Sequence, residues 1–352
     1  MRLWIAGGCG ECGRSCFLLE GEKENMMVDC GVMAGVQDPQ PHLTREQISR
    51  TRYALLTHSH GDHAGAAEWL VKQGFQGTFV MTAETARQLT FPLTKSLLLL
   101  TPEKVESLKL GDAKLRYGMS GHCAGAVWYW LSWEGKRVFF SGDYNFYSDV
   151  YECAMVQDRK ADAALIDSSY PEDEQSLTRF AAKLTAVLKT SGHVLLPVPK
   201  HGRGLEILLL LMRRFPQVNV TLDSWMQSEL KGLKSIKKWL RPDAYEELRG
   251  WKPAHGKSDR HVLLVADAQL SSTLGRYTAT IYAQEQYPIL LSGTVEEGSF
   301  ARTLLDGGKA ECCVMPVHNS DAECRMMKRA NRFDKIVPLY TARLSTLPEM
   351  TL

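Results

Sequence analysis

Thr57-His58-Ser59-His60-Gly61-Asp62-His63 places three imidazoles and a carboxylate within a few consecutive positions. His58 and His60, two apart in an extended segment, can point the same way, while Asp62 and His63 turn toward a neighbouring point at the start of a helix. Imidazole and carboxylate are the usual ligands of zinc and similar ions, and an ordinary polar loop has no need of them at this density. The spacing therefore predicts a divalent-metal centre.

The elements that must hold this loop follow from hydrophobic periodicity. Short β-like runs separated by Gly, Asp and Asn turns fill the first part of the chain: Arg2 to Ala6, Cys16 to Leu19, Met26 to Asp29, Tyr53 to Thr57, Thr78 to Met81, Val127 to Trp133 and Arg137 to Ser141. A helix is expected over Ala64 to Gln73, directly after the His/Asp loop, with Ala67, Leu70 and Val71 as its apolar stripe. From Ala161 strands and helices alternate. Strands are expected at Ala164 to Ile166, His193 to Val198, Val218 to Leu222, His261 to Ala266, Ile289 to Ser292, Cys312 to Val317 and Lys335 to Leu339. Helices are expected from Leu177 to Gly192, Gly204 to Phe215, Trp225 to Leu240 and Asp321 to Phe333. Such alternation favours parallel strands with crossover helices, so the later part is α/β.

Composition bounds the answer. The 352 residues are 44% hydrophobic and 23% charged, which excludes disordered and low-complexity classes. Apolar runs such as Ile207 to Met212 are far shorter than the ~20 residues of a membrane span, so no membrane partner is expected. The start of the chain lacks the pattern of a secretory signal, and nine irregularly spaced cysteines do not form a disulfide framework. Both point to the cytoplasm. Residues 200–260 carry thirteen Lys/Arg against seven Asp/Glu, including Lys231, Lys234, Lys237, Lys238 and Arg241 at helical spacing. A local excess of this kind suits a polyanionic partner, and equally a solvated helix face. Trp128 and Trp130 are expected to pack in the core.

The histidine loop has the HxHxDH form, and the chain resembles the metallo-β-lactamase fold, an αββα sandwich with a dinuclear metal site at one edge of its sheets. The resemblance extends to Met27-Val28-Asp29-Cys30-Gly31, to Gly121-His122-Cys123 and to Phe140-Ser141-Gly142-Asp143. It implies that His58, His60 and His122 hold one zinc ion, that Asp62 and His63 hold a second, that Asp143 bridges them, and that Asp29 orients the loop without ligating. Two dications side by side would lower a bridging water's pKa enough to supply hydroxide at neutral pH.

Later segments are similar to the β-CASP nuclease family of RNA-processing enzymes. Leu165-Ile166-Asp167-Ser168-Ser169-Tyr170 resembles the opening of that domain, Gly202-Arg203-Gly204-Leu205-Glu206 its Gly-Arg turn and helix, and Leu291 to Arg302 its glycine-containing loop. Met315-Pro316-Val317-His318 resembles the return to the first domain. The resemblance implies a metallo-β-lactamase domain over 1–168, an inserted α/β β-CASP domain over 169–311 and a C-terminal return over 312–352. It gives Asp62, Asp167 and His318 catalytic roles. His318, with a pKa near neutrality, would protonate the leaving oxygen. Arg203, Ser299 and His318 are the candidates for gripping phosphate.

Where family members acting on RNA carry a histidine completing the second metal site, this chain has Tyr340. A phenol with a pKa near ~10 is a poor zinc ligand, so the second ion is expected to be weakly held zinc or manganese. Cys9-x-x-Cys12, with Cys16 nearby, lies in the N-terminal glycine loop without a second such pair to complete a cluster site. His193, His201, His255 and His261 stand outside the ligand motifs.

The expected activity is hydrolysis of a phosphodiester in single-stranded RNA, with DNA as the second polymer, by a metal-bridging hydroxide. A small ester, thioester or lactam hydrolase of the same fold, and a catalytically weak nucleic-acid- or protein-binding subunit, remain the alternatives. With twelve residues after Tyr340, the C-terminal domain that some relatives use to dimerise and grip RNA is expected to be lacking.

Overall fold

The computed structural model describes residues 1–93, 95–102, 107–170, 176–253, 259–340 and 349–352. It divides into two compact units: one made of Met1–Tyr147, Glu152–Pro171 and His318–Leu352, the other of Ser148–Tyr151 and Glu172–Val317.

The first unit contains two sheets. One orders its strands Glu349–Thr351, Arg2–Gly7, Cys16–Glu20, Asn25–Val28, Thr51–Leu55, Thr78–Thr82 and Ser96–Leu100. The other runs Arg332–Leu339, Lys160–Asp167, Lys136–Phe140, Val127–Trp133, Ala113–Met119 and Leu108–Leu110. The sheets face each other: the Phe17 and Phe140 rings lie 6.1 Å apart, and the Tyr129 hydroxyl donates across to the Leu56 carbonyl at 2.8 Å. A second layer covers each outer face. Ile48, Ala67, Leu70 and Phe75 pack on the first sheet, and Met327, from the helix Asp321–Ala330, packs with Trp128, Trp130, Phe139 and Ala164 on the second. This is the αββα order of layers, and it explains why strands such as Cys16–Glu20 are apolar on both faces.

Some elements differ from the sequence-based expectation. The helix expected over Ala64 to Gln73 is two short helices, Gly61–Ala64 and Ala67–Lys72, because the chain turns at Gly65 and Ala66. The Trp225 to Leu240 helix is broken at Gly232 into Ser224–Lys231, Leu233–Ile236 and a 3-10 turn Lys237–Trp239, so its lysines do not line one face. The strand expected from Cys312 to Val317 is only Glu311–Cys312, paired in parallel with Leu290–Leu291. That pairing keeps it in the second unit, and the return to the first comes at His318.

In the second unit the strands His193–Pro197, His261–Val265 and Asn219–Leu222 form a parallel sheet, as the β/α alternation required. The helix Arg203–Arg214 is buried from Arg203 to Leu211. Among the buried residues is Glu206, which accepts a hydrogen bond from the Ser148 hydroxyl at 2.5 Å. Burial, the first and largest influence, pushes its carboxyl up to about 7. A carboxyl that holds its proton more tightly when folded stabilises the fold below its unfolded pKa, and that contribution fades as pH rises through about 7. Glu206 is expected to take about 2.5 kcal/mol from the stability of the wild type between pH 5 and pH 8. By chemical denaturation Glu206→Gln should remove about that much of the fall with pH, and an equally steep fall in the variant would assign the whole response to other groups.

Candidate metal centre

The histidine loop follows the strand Thr51–Leu55 and is held from both sides of the sandwich. Leu56 N–H donates to the Val80 carbonyl at 2.9 Å and Val127 N–H to the Thr57 carbonyl at 3.0 Å. The segment around Asp29 closes over the start of the helix Gly61–Ala64: Cys30 N–H donates to the His63 carbonyl at 2.7 Å and Val32 N–H to Gly61 at 2.9 Å. Gly31 permits this approach, since a Cβ there would stand 1.7 Å from the Asp62 carbonyl oxygen.

The structure brings His58, His60, His122 and Asp143 together as one group able to hold a metal ion, Asp62, His63 and Asp143 as a second, and Asp143, Asp167 and His318 as a third. The imidazole rings of His58, His60 and His122 have their centroids 4.7 to 5.1 Å apart. Asp143 Oδ2 lies 3.4 Å from His58 Nε2 and 3.3 Å from His122 Nε2, while its Oδ1 lies 2.9 Å from His63 Nε2. His58 Nε2 is buried and forms no hydrogen bond. A buried polar atom left this way is costly, and a cation beside it supplies the missing partner. The donor set, three imidazoles and a carboxylate, is that of a zinc-type site, so the residues fit a divalent ion.

Asp29 is the anchor of the second group. Its buried carboxylate accepts from Thr57 N–H at 2.7 Å and from the Thr57 hydroxyl at 2.9 Å, and it pairs with His63 Nδ1 at 2.8 Å. Fixing Nδ1 turns Nε2 inward, the arrangement that orients metal-binding histidines. Nε2 also meets the Tyr340 hydroxyl, 2.6 Å away, which in turn lies 3.0 Å from Ser15 Oγ. Burial would lower the pKa of His63, but Asp143, Asp29 and Asp62 raise it well above the ordinary imidazole range. Asp143 is held well below the usual carboxylate range: burial opposes this, and His63, His318, His58 and His122 prevail.

His318 stands beside this group, with Nδ1 3.0 Å from Asp167 Oδ2 and 3.7 Å from Asp143 Oδ2. Asp167 is buried at the end of the strand Lys160–Asp167 and accepts from Tyr144 N–H and from Ser169 N–H and Oγ. Burial alone would lower the His318 pKa, yet Tyr170, Asp167 and Asp143 raise it to about 10. The near-neutral value expected from sequence is thus displaced by the surrounding oxygens. His60 and Asp62 are the half-buried members of the first two groups, the Asp62 side chain being 43% exposed.

The remaining candidates fall in the second unit. Arg203 begins its helix almost fully buried, with Nε unbonded, and lies so close to Gly293 that a Cβ there would sit 2.1 Å from a guanidinium nitrogen. Ser299, expected to contact phosphate, caps the helix Phe300–Asp306 instead. Its hydroxyl accepts from Arg302 N–H and gives its one proton to the Glu296 carbonyl. His201 lies against Trp225 and near Glu229, and His193 and His261 lie with Tyr287 and Thr221. His255 lies outside the described residues. Cys9 and Cys12 donate to the carbonyls of Pro338 and Tyr340, and no cysteine belongs to a metal-holding group among the described residues. Ser15 carried no signal in the sequence, because its role is a contact with a residue near the other end of the chain.

A family model for the metallo-beta-lactamase superfamily matches residues 9–154. Cleavage and polyadenylation specificity factor 73 of Drosophila melanogaster is 27% identical over 236 residues, covering 58% of this chain and 34% of the relative. A ribonuclease of Thermus thermophilus is 27% identical over 261 residues, covering 66% of this chain and 60% of the relative. The chain thus spans about a third of the first relative's length and 60% of the second's. A solved structure of a protein of unknown function from Enterococcus faecalis superposes over 97% of this chain and 94% of its own, with a TM-score of 0.58 at 13% identity, which shows a shared fold.

Replacing Asp29 by Ala removes the acceptor for Thr57 and the partner of His63 together. Equilibrium denaturation is expected to show a loss of about 3 kcal/mol; a loss within about 0.5 kcal/mol would mean that the loop holds its shape without that carboxylate.

Proposed function

From the premise that the chain belongs to the metallo-β-lactamase superfamily, in its β-CASP nuclease family, we propose that it is a metal-dependent ribonuclease cleaving phosphodiesters in single-stranded RNA. The observation that carries this reading is the convergence of His58, His60, His122 and Asp143, with a buried unbonded nitrogen on His58, beside the His318–Asp167 pair.

In this reading His58, His60, His122 and Asp143 hold one zinc ion, and Asp62, His63 and Asp143 offer a second position for zinc or manganese. An ion held there supplies Lewis acidity, polarising a phosphoryl oxygen and acidifying water. Asp62, with its half-buried side chain, accepts the proton of the attacking water. His318, held protonated by its acidic neighbours, donates to the leaving oxygen, and Asp167 fixes its ring. Arg203 is a cationic contact for phosphate. The second unit corresponds to the inserted β-CASP domain, and nine unpaired cysteines suit the cytoplasm. Among the described residues no helix is long and apolar enough to cross a membrane.

End-labelled single-stranded RNA and DNA of matched sequence, incubated with zinc or manganese, test the reading directly. The wild type should cut RNA in preference to DNA, Asp62→Ala should be silent, and His318→Ala should lose at least about a hundredfold in rate. Preference for DNA would reassign the polymer. No cleavage of either by metal-loaded protein would overturn the nuclease reading.

A further inference from the structure

Tyr340 ends the strand Arg332–Leu339 and is set down beside His63 by several independent contacts. Its N–H donates to the Gly8 carbonyl at 3.3 Å, its carbonyl accepts from Cys12 Sγ at 3.6 Å, and its hydroxyl meets Ser15 Oγ at 3.0 Å. The side chain is 8% exposed and the backbone stands at φ +60°, a left-handed conformation that a bulky residue rarely adopts. Asp29, the partner on the other side of the imidazole, is likewise left-handed at φ +61°. His63 is therefore gripped at both ring nitrogens by residues held in costly conformations, at 2.8 Å on Nδ1 and 2.6 Å on Nε2.

Nε2 is the atom through which His63 would serve a second ion, and Asp143 Oδ1 lies 2.9 Å from it. The phenol oxygen stands nearer still, at 2.6 Å, and bonds the nitrogen whichever of the two carries the proton. We propose that Tyr340 is a stopper for the second ion position: the chain holds one divalent ion firmly through His58, His60, His122 and Asp143, and admits a second only when the Tyr340–His63 bond is broken.

This rests on the metal-centre reading above and adds a specific claim to it. A tyrosine that merely fails to ligate leaves the second position short of a donor, and trimming its hydroxyl changes nothing. A tyrosine that competes for His63 makes the second position tighter once the hydroxyl is gone.

The two cases separate in metal binding without any assay of cleavage. Full-length metal-free wild type, Tyr340→Phe and Tyr340→His are titrated with zinc, and separately with manganese, against a competing chelator. Bound metal is counted by mass spectrometry, and the melting temperature of each metal-free protein confirms folding. The wild type should retain one zinc per chain. Tyr340→Phe should bind the second ion about tenfold more tightly than wild type, the equivalent of one lost competing hydrogen bond. Tyr340→His should retain two.

Should the Phe variant not fold, Ser15→Ala, which removes the other partner of the hydroxyl, should tighten the second site in the same direction. Two firmly held zincs in the wild type, or equal second-ion affinity in wild type and the folded variant, would overturn the stopper. A wild type that retains no zinc would overturn the metal-centre reading itself, an outcome distinct from both.

Discussion

The buried carboxylate of Asp143 is the constraint on which the site depends. It lies within 3.4 Å of a nitrogen of His58, His63 and His122, and within 3.7 Å of His318. An isolated buried carboxylate would take up a proton, because desolvation disfavours its charge. Four imidazoles around it reverse that preference. The reciprocal holds for the rings: crowding several imidazoles within about 5 Å is tolerable only where an anion or a shared cation organises them. The three groups able to hold a metal, among the described residues, share this one residue, so the loop at Gly142-Asp143 and the histidine loop must arrive in register. The sandwich provides that register, because the strands Thr51–Leu55 and Lys136–Phe140, which end just before the two loops, lie in facing sheets.

Around this centre lie residues whose polar atoms are spent on its histidines and on the loop that carries them. Asp29 fixes His63 through Nδ1, Asp167 fixes His318 through Nδ1, and Thr57 ties Asp29 to the histidine loop. Each is buried, and each uses its polar atoms on neighbours within the first unit. Backbone strain is part of the arrangement, since Asp29 and Tyr340 both sit at positive φ. Strain of this kind costs about 1–3 kcal/mol per residue and persists where surrounding contacts determine the conformation.

Much of this was legible in the sequence, and the reason is proximity along the chain. His58, His60, Asp62 and His63 are near neighbours whose spacing matches a loop-to-helix turn. The strand Val127–Trp133 and the middle of Lys160–Asp167, Ala164 to Ile166, were visible as apolar runs, and the helix Leu177–Thr190 as a periodic one. His122, Asp143 and His318 could be assigned only through resemblance, because nothing local distinguishes them. Ala113–Met119 was overlooked, although its alternation of buried Ala113, Leu115 and Tyr117 with exposed Lys114 and Arg116 is the ordinary signature of a half-buried strand. Gly232 was available to predict the break after Lys231, but the lysine spacing across it reads as continuous helix. The meeting of Tyr340 with His63 and Ser15 was beyond sequence reasoning, since it joins residues hundreds of positions apart through the packing of separate strands.

The central claim is that three imidazoles and the Asp143 carboxylate hold a divalent ion. X-ray absorption at the zinc edge, on full-length protein loaded with a single equivalent, reads the ligands directly. Three imidazole nitrogens and an oxygen at about 2.0–2.2 Å are expected, with the imidazole signal reduced in His58→Ala. Sulfur scattering at about 2.3 Å, or a spectrum unchanged in that variant, would contradict the account.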